Sequence, residues 1–413
     1  MMRDVFRRKS LSAVRGVGSL YGAAFTMSIG LSVLWTAMPF IIRNIGGTEE
    51  HVGYAWAANM LGYMVCLLLA GVTMGEHNPK NATLVSTAVN FISTLVMCIL
   101  VYVILSKDYI GNPILIWSII AAGVVAGASL ALYWPYLMSW VSEDLEGADL
   151  NRRFGAYNCT WSGAAVVGPL IGGILVETGT PYPAVFAVVC LVICFVFLSM
   201  ATGSSINTIL FDDTVTRPVA GCKDKAALIR FRWIARVALF SSWACLGVIR
   251  SQFALLFTDM GYSEVWFGVL VMIFGLFNFI VLTAAGRFAF WHFKAALLPA
   301  VNVLLIVSLM LTIFGRSLGL FILSFIIMGC GFGFAYSSHL YYGACGTKKR
   351  SVQMIIHEAT ISIGIAVGSG AGGYIAKNIG RYQPYWFAMS LVTVGLVVQI
   401  ILMLIGRLKR NIA

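Results

Sequence analysis

The chain has 413 residues, of which 60% are apolar and only 11% are charged, whereas about a quarter of the residues are charged in an average soluble domain. This composition excludes a soluble enzyme, a disordered scaffold and a disulfide-rich secreted domain. The net charge of +12 would suit a nucleic-acid ligand in a soluble protein, but membrane topology explains it here.

Twelve apolar runs are long enough to cross a bilayer core of about 30 Å. In chain order they are 19–42, 53–73, 82–105, 114–140, 156–176, 183–201, 235–257, 265–285, 295–315, 317–342, 352–375 and 384–406. The pattern predicts an all-α membrane protein with twelve transmembrane helices. The nine cysteines show no metal-ligand spacing, so we expect free thiols, no metal and no cofactor.

The basic residues predict the orientation of these spans. An even number of spans places both chain ends on one side, and that side receives 22 of the 28 Lys and Arg residues; the opposite side receives five, and Arg250 lies within span seven. Because cytoplasmic loops carry the excess of Lys and Arg, both termini are predicted to be cytoplasmic. We expect an integral protein of a bacterial inner (plasma) membrane, with no nucleic-acid partner.

The longest polar connection, 202–234, lies between spans six and seven. It is predicted to be a cytoplasmic linker between an N-terminal six-helix bundle, 1–201, and a C-terminal six-helix bundle, 235–413.

The two halves also share a repeat, which sets the expected architecture. Residues of the first half recur in the second after shifts of 215, then 203, then 200 residues: Gly46, Glu49, Gly53 and Gly71 on Gly261, Glu264, Gly268 and Gly286; Tyr133 on Tyr336; Thr160, Gly168, Gly172 and Gly173 on Thr360, Gly368, Gly372 and Gly373. Since each half has six spans, both have the same orientation, and an axis along the membrane normal relates them.

The segment from Gly163 to Gly173 in span five, with Gly168, Pro169 and Gly172, resembles the GPxxGG signature of exporters and antiporters of the major facilitator superfamily. Small residues let helices approach closely, and the proline loosens the backbone where a rocking motion needs compliance. The alternative is plain helix packing. We expect a leucine at Gly172 to impair transport more than expression.

The resemblance extends over nearly the whole chain and implies the two-bundle fold with a cavity between the bundles. In the loop between spans two and three, Gly71 and Lys80 match the family pattern, whereas its Asp and central Arg are absent.

Arg250 is the leading candidate for binding, because an ionisable residue inside a membrane is costly and is a functional candidate by default. The resemblance places spans one, four, seven and ten around the cavity, which would put Arg250 and its repeat counterpart Trp35 there. A guanidinium in that position would hold a carboxylate or phosphate by paired hydrogen bonds. The alternative is an arginine that snorkels to the outer interface.

Further titratable and aromatic residues have two interpretations each. Glu358, beside His357, could couple transport to protons or form a structural pair with Arg350. His339 could be a cavity ligand or proton relay, or an interface histidine. The polar-tipped rings of Tyr133, Tyr136 and Tyr336 suit a flat or amphiphilic solute, although an aromatic belt at the inner interface would use the same residues.

These features together predict a secondary active transporter that moves a small organic solute by alternating access, as a monomer in the lipid bilayer. The signature in span five favours export in exchange for protons. The alternatives are an importer or facilitator of an anionic nutrient, anchored by Arg250, and a non-transporting sensor of the same fold. No nucleotide-binding or catalytic motif is found, so we do not expect an enzyme.

Overall fold

The computed structural model describes residues 16–70, 78–141, 147–202, 225–288, 290–294, 296–345 and 350–412. Within these ranges the chain is almost entirely helical, and twelve helices are long and apolar enough to cross a membrane. This confirms the predicted class and number of spans. The repeat residue Gly71 and most of the predicted linker lie outside the described residues.

The twelve spans are named α1 to α12 in chain order. In the N-terminal half they are α1 Val17–Asn44, α2 Glu49–Ala70, α3 Pro79–Ser106, α4 Pro113–Leu130 with Trp134–Val141, α5 Gly147–Thr178 and α6 Tyr182–Met200. In the C-terminal half they are α7 Lys225–Val248 with Ile249–Phe253 and Ala254–Asp259, α8 Glu264–Arg287, α9 Leu297–Phe314, α10 Leu318–Ala344, α11 Arg350–Asn378 and α12 Gln383–Ile412.

Local sequence explains several of the helix ends. The side chains of Asn78 and Asn112 cap α3 and α4, and a proline follows each at the first helical position, where its missing N–H costs nothing. The turns after α1 and α7 contain Gly46 and Gly261, with φ of 85° and 89°. Glycine tolerates this positive φ. The repeat places a glycine at both turns, so the two halves form the same turn.

Two spans depart from the uninterrupted helices that the sequence predicted. In α4 the backbone tightens between Leu130 and Trp134, where the amide of Tyr133 bonds to the carbonyl of Leu130. Pro135 explains the break, because it has no N–H and its ring clashes with the carbonyl four residues earlier. In α7, residues Ile249–Phe253 form a π-helical turn.

The helix α7 also begins at Lys225 rather than near residue 235, so the last part of the predicted linker is helical. Arg236, at the start of the predicted span, lies three turns into this helix, and its guanidinium donates to the side-chain oxygen of Gln353 at 2.8 Å.

The spans form two six-helix bundles that meet along two helix pairs, α2 with α11 and α5 with α8. Glycine contacts recur in the two halves, with glycines 200 residues apart and partners 215 residues apart. The pairs of contacts are Gly168 with Ile29 and Gly368 with Ala244, Gly172 with Val33 and Gly372 with Val248, and Gly173 with Glu264 and Gly373 with Glu49. The halves are thus pseudo-symmetric, as predicted.

Candidate functional site

Ion pairs join the two bundles at one face of the molecule. Three of them cross from bundle to bundle: Arg43 with Asp259 at 2.6 Å, Lys377 with Glu50 at 2.6 Å and Arg381 with Glu49 at 2.7 Å. Arg381 also contacts Asp259 at 3.2 Å. Partly exposed pairs are individually weak, but these six side chains form one connected boundary. We call them the closed-face network.

Next to the closed-face network the bundles touch backbone to backbone. Gly53 of α2 lies against Gly373 of α11, and Gly268 of α8 lies against Pro169 of α5. A Cβ atom on Gly53 or Gly268 would fall within 3 Å of the opposite backbone. Such close approach requires small residues, and it seals this side of the molecule.

Toward the other face, α5 and α8 separate. A Cβ atom on Gly275 would lie 3.4 Å from Val166, and Cβ atoms on Gly163 and Gly155 would meet nothing within 4 Å. We call this face the basic face, because the described residues there include Arg152, Arg153, Arg230, Arg287 and Lys294. The backbone contact between α5 and α8 is therefore looser toward the basic face, where Tyr63 of α2 still reaches Glu358 of α11 at 3.2 Å.

Arg250 lies in the π-helical turn of α7, nine residues before Asp259 of the closed-face network. Its Nη1 is 3.5 Å from Thr36 Oγ1 on α1, and its Cζ is 5.8 Å from the ring centre of Phe274 on α8. Arg250 is partly exposed, and no carboxylate among the described residues forms an ion pair with it. Its contact with Thr36 crosses between the two bundles.

Trp35, the repeat counterpart of Arg250, is adjacent in sequence to Thr36. Its side chain is 8% exposed, and its ring centre is 5.1 Å from that of Trp56 on α2. The Trp35 ring thus lies against α2, and a Cβ atom on Gly123 of α4 would meet it at 3.7 Å, whereas the neighbouring Thr36 is the α1 residue that Arg250 reaches.

Tyr133 and Tyr136 occupy a different place from the one expected. Both are fully buried, and the Tyr133 hydroxyl donates to the carbonyl of Ala23 at 2.9 Å and contacts Cys194 Sγ at 3.3 Å. The break in α4 explains this position, because it turns the segment into the N-terminal bundle. Neither side chain lines an accessible space or an interfacial belt.

Glu358 on α11 faces the N-terminal bundle. The Tyr63 hydroxyl of α2 donates to its carboxylate at 3.2 Å, and the side chains of Tyr157 and Tyr336 lie close enough for electrostatic interaction with it. Glu358 is partly exposed. Tyr63 therefore provides a hydrogen bond to this carboxyl group across the bundle interface. The side chain of its alternative partner, Arg350, lies outside the described residues.

His339 and His357 contact each other inside the C-terminal bundle. Their Nδ1 atoms are 2.8 Å apart and their ring centres 4.8 Å apart, and each side chain is 1% exposed. The ring of Tyr336 packs edge-on against His357 at 4.7 Å. The two histidines thus form a buried pair, and His357 does not share the interface position of Glu358.

The glycine motif of α5 has two working faces. Gly168 and Gly172 pack against α1 within the N-terminal bundle, as predicted, whereas Gly173 packs against α8 of the other bundle. Gly163 does not share the α1 contact of Gly168 and Gly172, because a Cβ atom on Gly163 would meet nothing within 4 Å. Lys80 donates to the carbonyls of Ser199 and Ala201 at 3.0 and 2.7 Å, so it closes the end of α6.

Sequence reasoning did not identify the closed-face network or the π-helical turn. The network left a signal, since Glu49 and Glu50 begin α2 while Lys377 and Arg381 end α11 and precede α12 on the same side. The repeat could have paired these loops. The π-helical turn left no signal that periodicity detects.

Two pseudo-symmetric six-helix bundles around a central polar residue define an integral membrane protein of the transporter class rather than an enzyme. The sequence profile of the Major Facilitator Superfamily matches residues 20–344. The chain belongs to this family.

Solved structures share the fold at low sequence identity. The nucleoside transporter NupG, in a mutant form, superposes with a TM-score of 0.73 at 12% identity, covering 94% of this chain and 99% of that one. A POT family transporter in complex with a thioalcohol-conjugated peptide gives 0.67 at 14% identity, over 95% and 96%. A bacterial homologue of the human lysosomal transporter Spinster, inward-facing and unoccupied, gives 0.62 at 12% identity, over 95% of each chain.

A sequence relative matches a part of the chain. An uncharacterised MFS-type transporter of Mycobacterium tuberculosis is 28% identical over 154 residues, which are 37% of this chain and 24% of that protein.

Proposed function

We propose that this protein is a secondary active transporter that moves a small organic acid across the membrane by alternating access. The observation that carries the proposal is the guanidinium of Arg250, which lies between the bundles with no described carboxylate beside it. An unpaired arginine at membrane depth costs at least about 2.5 kcal/mol. An acidic solute that enters from the open face would supply the missing charge through a bidentate contact.

In this proposal the basic face lies in the cytoplasm, since cytoplasmic loops carry the excess of Lys and Arg. The structure then represents a conformation that is open to the cytoplasm and closed to the outside. We propose a monomer as the working unit within the lipid bilayer.

Alternating access would require the closed-face network to break while the basic face closes. The backbone contacts at Gly53 and Gly268 would separate at the same time. Because Gly173 and Gly373 belong to the same contacts, we assign the conformational role of the glycine motif to them, whereas Gly168, Gly172, Gly368 and Gly372 hold each bundle together.

The finer proposal is export in exchange for protons, with Glu358 as the proton carrier. Its carboxyl group faces the opposite bundle, so gain or loss of a proton changes the hydrogen bond with Tyr63 across the interface. The helix contacts place Ala244 of α7 beside Gly368 of α11. With a rise of about 1.5 Å per residue, about 24 Å of helix separates Arg250 from Glu358. Proton and solute would therefore be coupled through bundle motion, not direct competition.

Import or facilitated diffusion of an anionic nutrient is the second candidate. Arg250 favours it equally, because an anion anchor between two bundles serves transport in either direction. Proton dependence separates the two candidates.

The test is flux in proteoliposomes that contain the full-length protein. A radiolabelled panel of organic sulfonates and dicarboxylates serves as probe, because these anions cross lipid slowly by themselves. We expect a proton gradient to drive flux of at least one probe, Arg250→Ala to abolish it, and Glu358→Gln to leave exchange without a gradient while removing gradient-driven accumulation.

Each other outcome contradicts one part of the proposal. Flux that does not depend on the proton gradient indicates facilitated diffusion and rejects Glu358 as the proton carrier. Flux that survives Arg250→Ala rejects the anion anchor. Absence of flux with every probe, from protein that elutes as a single folded species, identifies a non-transporting sensor.

A further inference from the structure

The surroundings of Arg250 contain more information than its charge. Aromatic rings from both bundles lie on the helices that Arg250 contacts, α1 and α8. On the N-terminal side, Trp35 and Trp56 contact each other with ring centres 5.1 Å apart, and Trp35 adjoins the Thr36 that Arg250 reaches. These two rings form an apolar wall on α1 and α2, one residue along α1 from the Thr36 that the guanidinium reaches.

The wall on the C-terminal side extends further. The Phe274 ring lies 5.8 Å from Arg250 Cζ, Phe332 lies 5.1 Å from Phe274, and Trp243 lies 5.7 Å from Phe332. These contacts lead from α8 through α10 to α7, so three helices supply one continuous series of rings, in which Phe274 and Phe332 are 6% and 2% exposed. Aromatic rings bind other rings by stacked and edge-on contacts beyond simple burial.

Two of these rings carry hydrogen-bond donors that have no acceptor. The indole nitrogens Nε1 of Trp56 and Trp243 are buried, and neither has a hydrogen-bond partner among the described residues. Trp56 as a whole is only 8% exposed. Buried polar groups normally have partners, and an N–H without one carries a desolvation cost. A ligand with an acceptor atom besides its acid group would remove that cost.

The positions of Trp243 and Arg250 on α7 also define the length of the proposed solute site. Trp243 and Arg250 are seven residues apart on α7, which is about two helical turns, so they lie on nearly the same face and about 10 Å apart along the axis. Two fused six-membered rings with an acid group at one end and an acceptor at the other have about this length. A smaller acid would leave the Trp243 end of the surface unoccupied.

Charge excludes other classes of solute. No described acidic side chain pairs with Arg250, and Glu358 lies about 24 Å away by helical rise. A cation would have no counter-charge there, and a zwitterion of ordinary size would leave its ammonium group unmatched.

We infer that the solute is a planar aromatic acid of about two fused rings that carries a second hydrogen-bond acceptor opposite its acid group. The inference rests on the proposed role of Arg250 as an anion anchor and adds the chemistry of the rest of the molecule. Arg250 binds the acid, the two aromatic walls bind the faces and edges of the rings, and Trp243 or Trp56 donates to the distal acceptor.

Binding to the purified full-length chain in detergent tests this, by equilibrium dialysis together with the shift in melting temperature. The probes are 2-naphthoate, its saturated analogue decahydronaphthalene-2-carboxylate, its uncharged analogue 2-naphthamide, and 6-hydroxy-2-naphthoate. We expect 2-naphthoate to bind at least about tenfold more tightly than the saturated and the uncharged analogues. The hydroxyl of the fourth probe should add a further factor of about three to ten.

The variants separate charge from aromatic recognition. Arg250→Ala should weaken the binding of 2-naphthoate at least about tenfold. Arg250→Lys should cause a smaller loss of affinity, because lysine keeps the positive charge but cannot form the bidentate contact of the guanidinium. Trp243→Phe together with Trp56→Phe keeps the rings and should remove only the gain from the hydroxyl. Trp266→Phe, on the lipid-facing side of α8 with 43% exposure, is the matched control and should change nothing.

Two results would overturn the inference in different ways. Equal binding of the planar and saturated acids, still dependent on Arg250, removes the aromatic class and leaves the acid transporter intact. Binding of 2-naphthamide as tight as that of 2-naphthoate, or a full-affinity Arg250→Ala variant, removes the anion anchor and with it the proposed function. Absence of binding by all four probes rejects the inference.

Discussion

At the scale of single residues, the sequence identifies charges in membrane spans but not their partners. Arg250 and Glu358 stand out because they are charged residues within apolar spans, and both contact residues of the opposite bundle. Their contacts come from other helices, Thr36 and Phe274 for Arg250 and Tyr63 for Glu358. No local pattern contains that information, since it depends on how twelve helices are arranged.

The Tyr63–Glu358 hydrogen bond gives the first prediction. Tyr63→Phe removes the hydroxyl that crosses between the bundles, so the carboxyl group loses its cross-bundle donor, and we expect gradient-driven flux to fall about three- to tenfold. The measurement is initial flux in proteoliposomes with and without a proton gradient. Tyr102→Phe, on an exposed part of α3, is the control, and an equal effect in both variants would contradict the assignment.

The buried histidine pair gives the second prediction. His339→Phe or His357→Phe leaves the other imidazole without its partner in a buried site, and we expect each change to destabilise the protein by about 1–3 kcal/mol. The double variant should cost less than the sum of the single variants, because no unpaired imidazole remains. Melting temperatures of all four proteins complete the cycle, and strict additivity would show that the contact contributes nothing.

At the scale of helices, apolar length was sufficient to predict every span. Spans three and four were predicted to start at residues 82 and 114, and they start at Pro79 and Pro113, after the caps Asn78 and Asn112. The irregular parts were missed. The sequence Trp134-Pro135-Tyr136 contained the signal for a break in α4, because Pro135 removes a helical hydrogen bond. The break moved Tyr133 and Tyr136 into a bundle core, which is why their expected position differs from the observed one.

The two faces of α5 give the third prediction. Gly173→Val adds a branched side chain where the bundles touch, so we expect it to hinder closure of that face and to lower flux at least about tenfold. Gly172→Leu acts inside the N-terminal bundle, so its contacts predict a lower folded yield as well as a lower flux. Gly163→Ala is the control, since a Cβ there meets nothing within 4 Å.

Yield and flux, measured for these three α5 variants together, distinguish the two roles. Normal flux with Gly173→Val would show that this contact does not need to close tightly. A Gly172→Leu variant with full yield would return the mechanical role to Gly172.

At the scale of the whole molecule, the repeat predicted the pseudo-symmetry of the bundles, because both halves preserve the same turn and contact glycines. It did not predict which face is closed. That depends on a few ion pairs, three of them between bundles, whose members are exposed by 18% to 41%. Interactions of this strength leave both conformations accessible, as a transporter requires.

The closed-face network gives the fourth prediction. Arg381→Ala removes two ion pairs at once, and at up to about 1 kcal/mol each the loss should shift the population of the closed face by a factor of about 5 to 30. Distances between spin labels at Asn44 and Tyr262, in a background without other reactive thiols, should lengthen. Lys107→Ala changes an exposed residue on the same face and should leave the distances unchanged. Unchanged distances in Arg381→Ala would show that the network does not hold this face closed.

The charge balance of the two faces has a kinetic consequence. The closed-face network contains three cations and three anions, so its mouth is neutral once it opens, whereas the basic face presents an excess of positive side chains. A positive rim concentrates anions and accelerates their encounter, and salt weakens the effect. We therefore expect the capture rate of an anionic solute to be faster from the basic side and to fall with ionic strength there alone, so that a carrier symmetric in its helices is asymmetric in its loading.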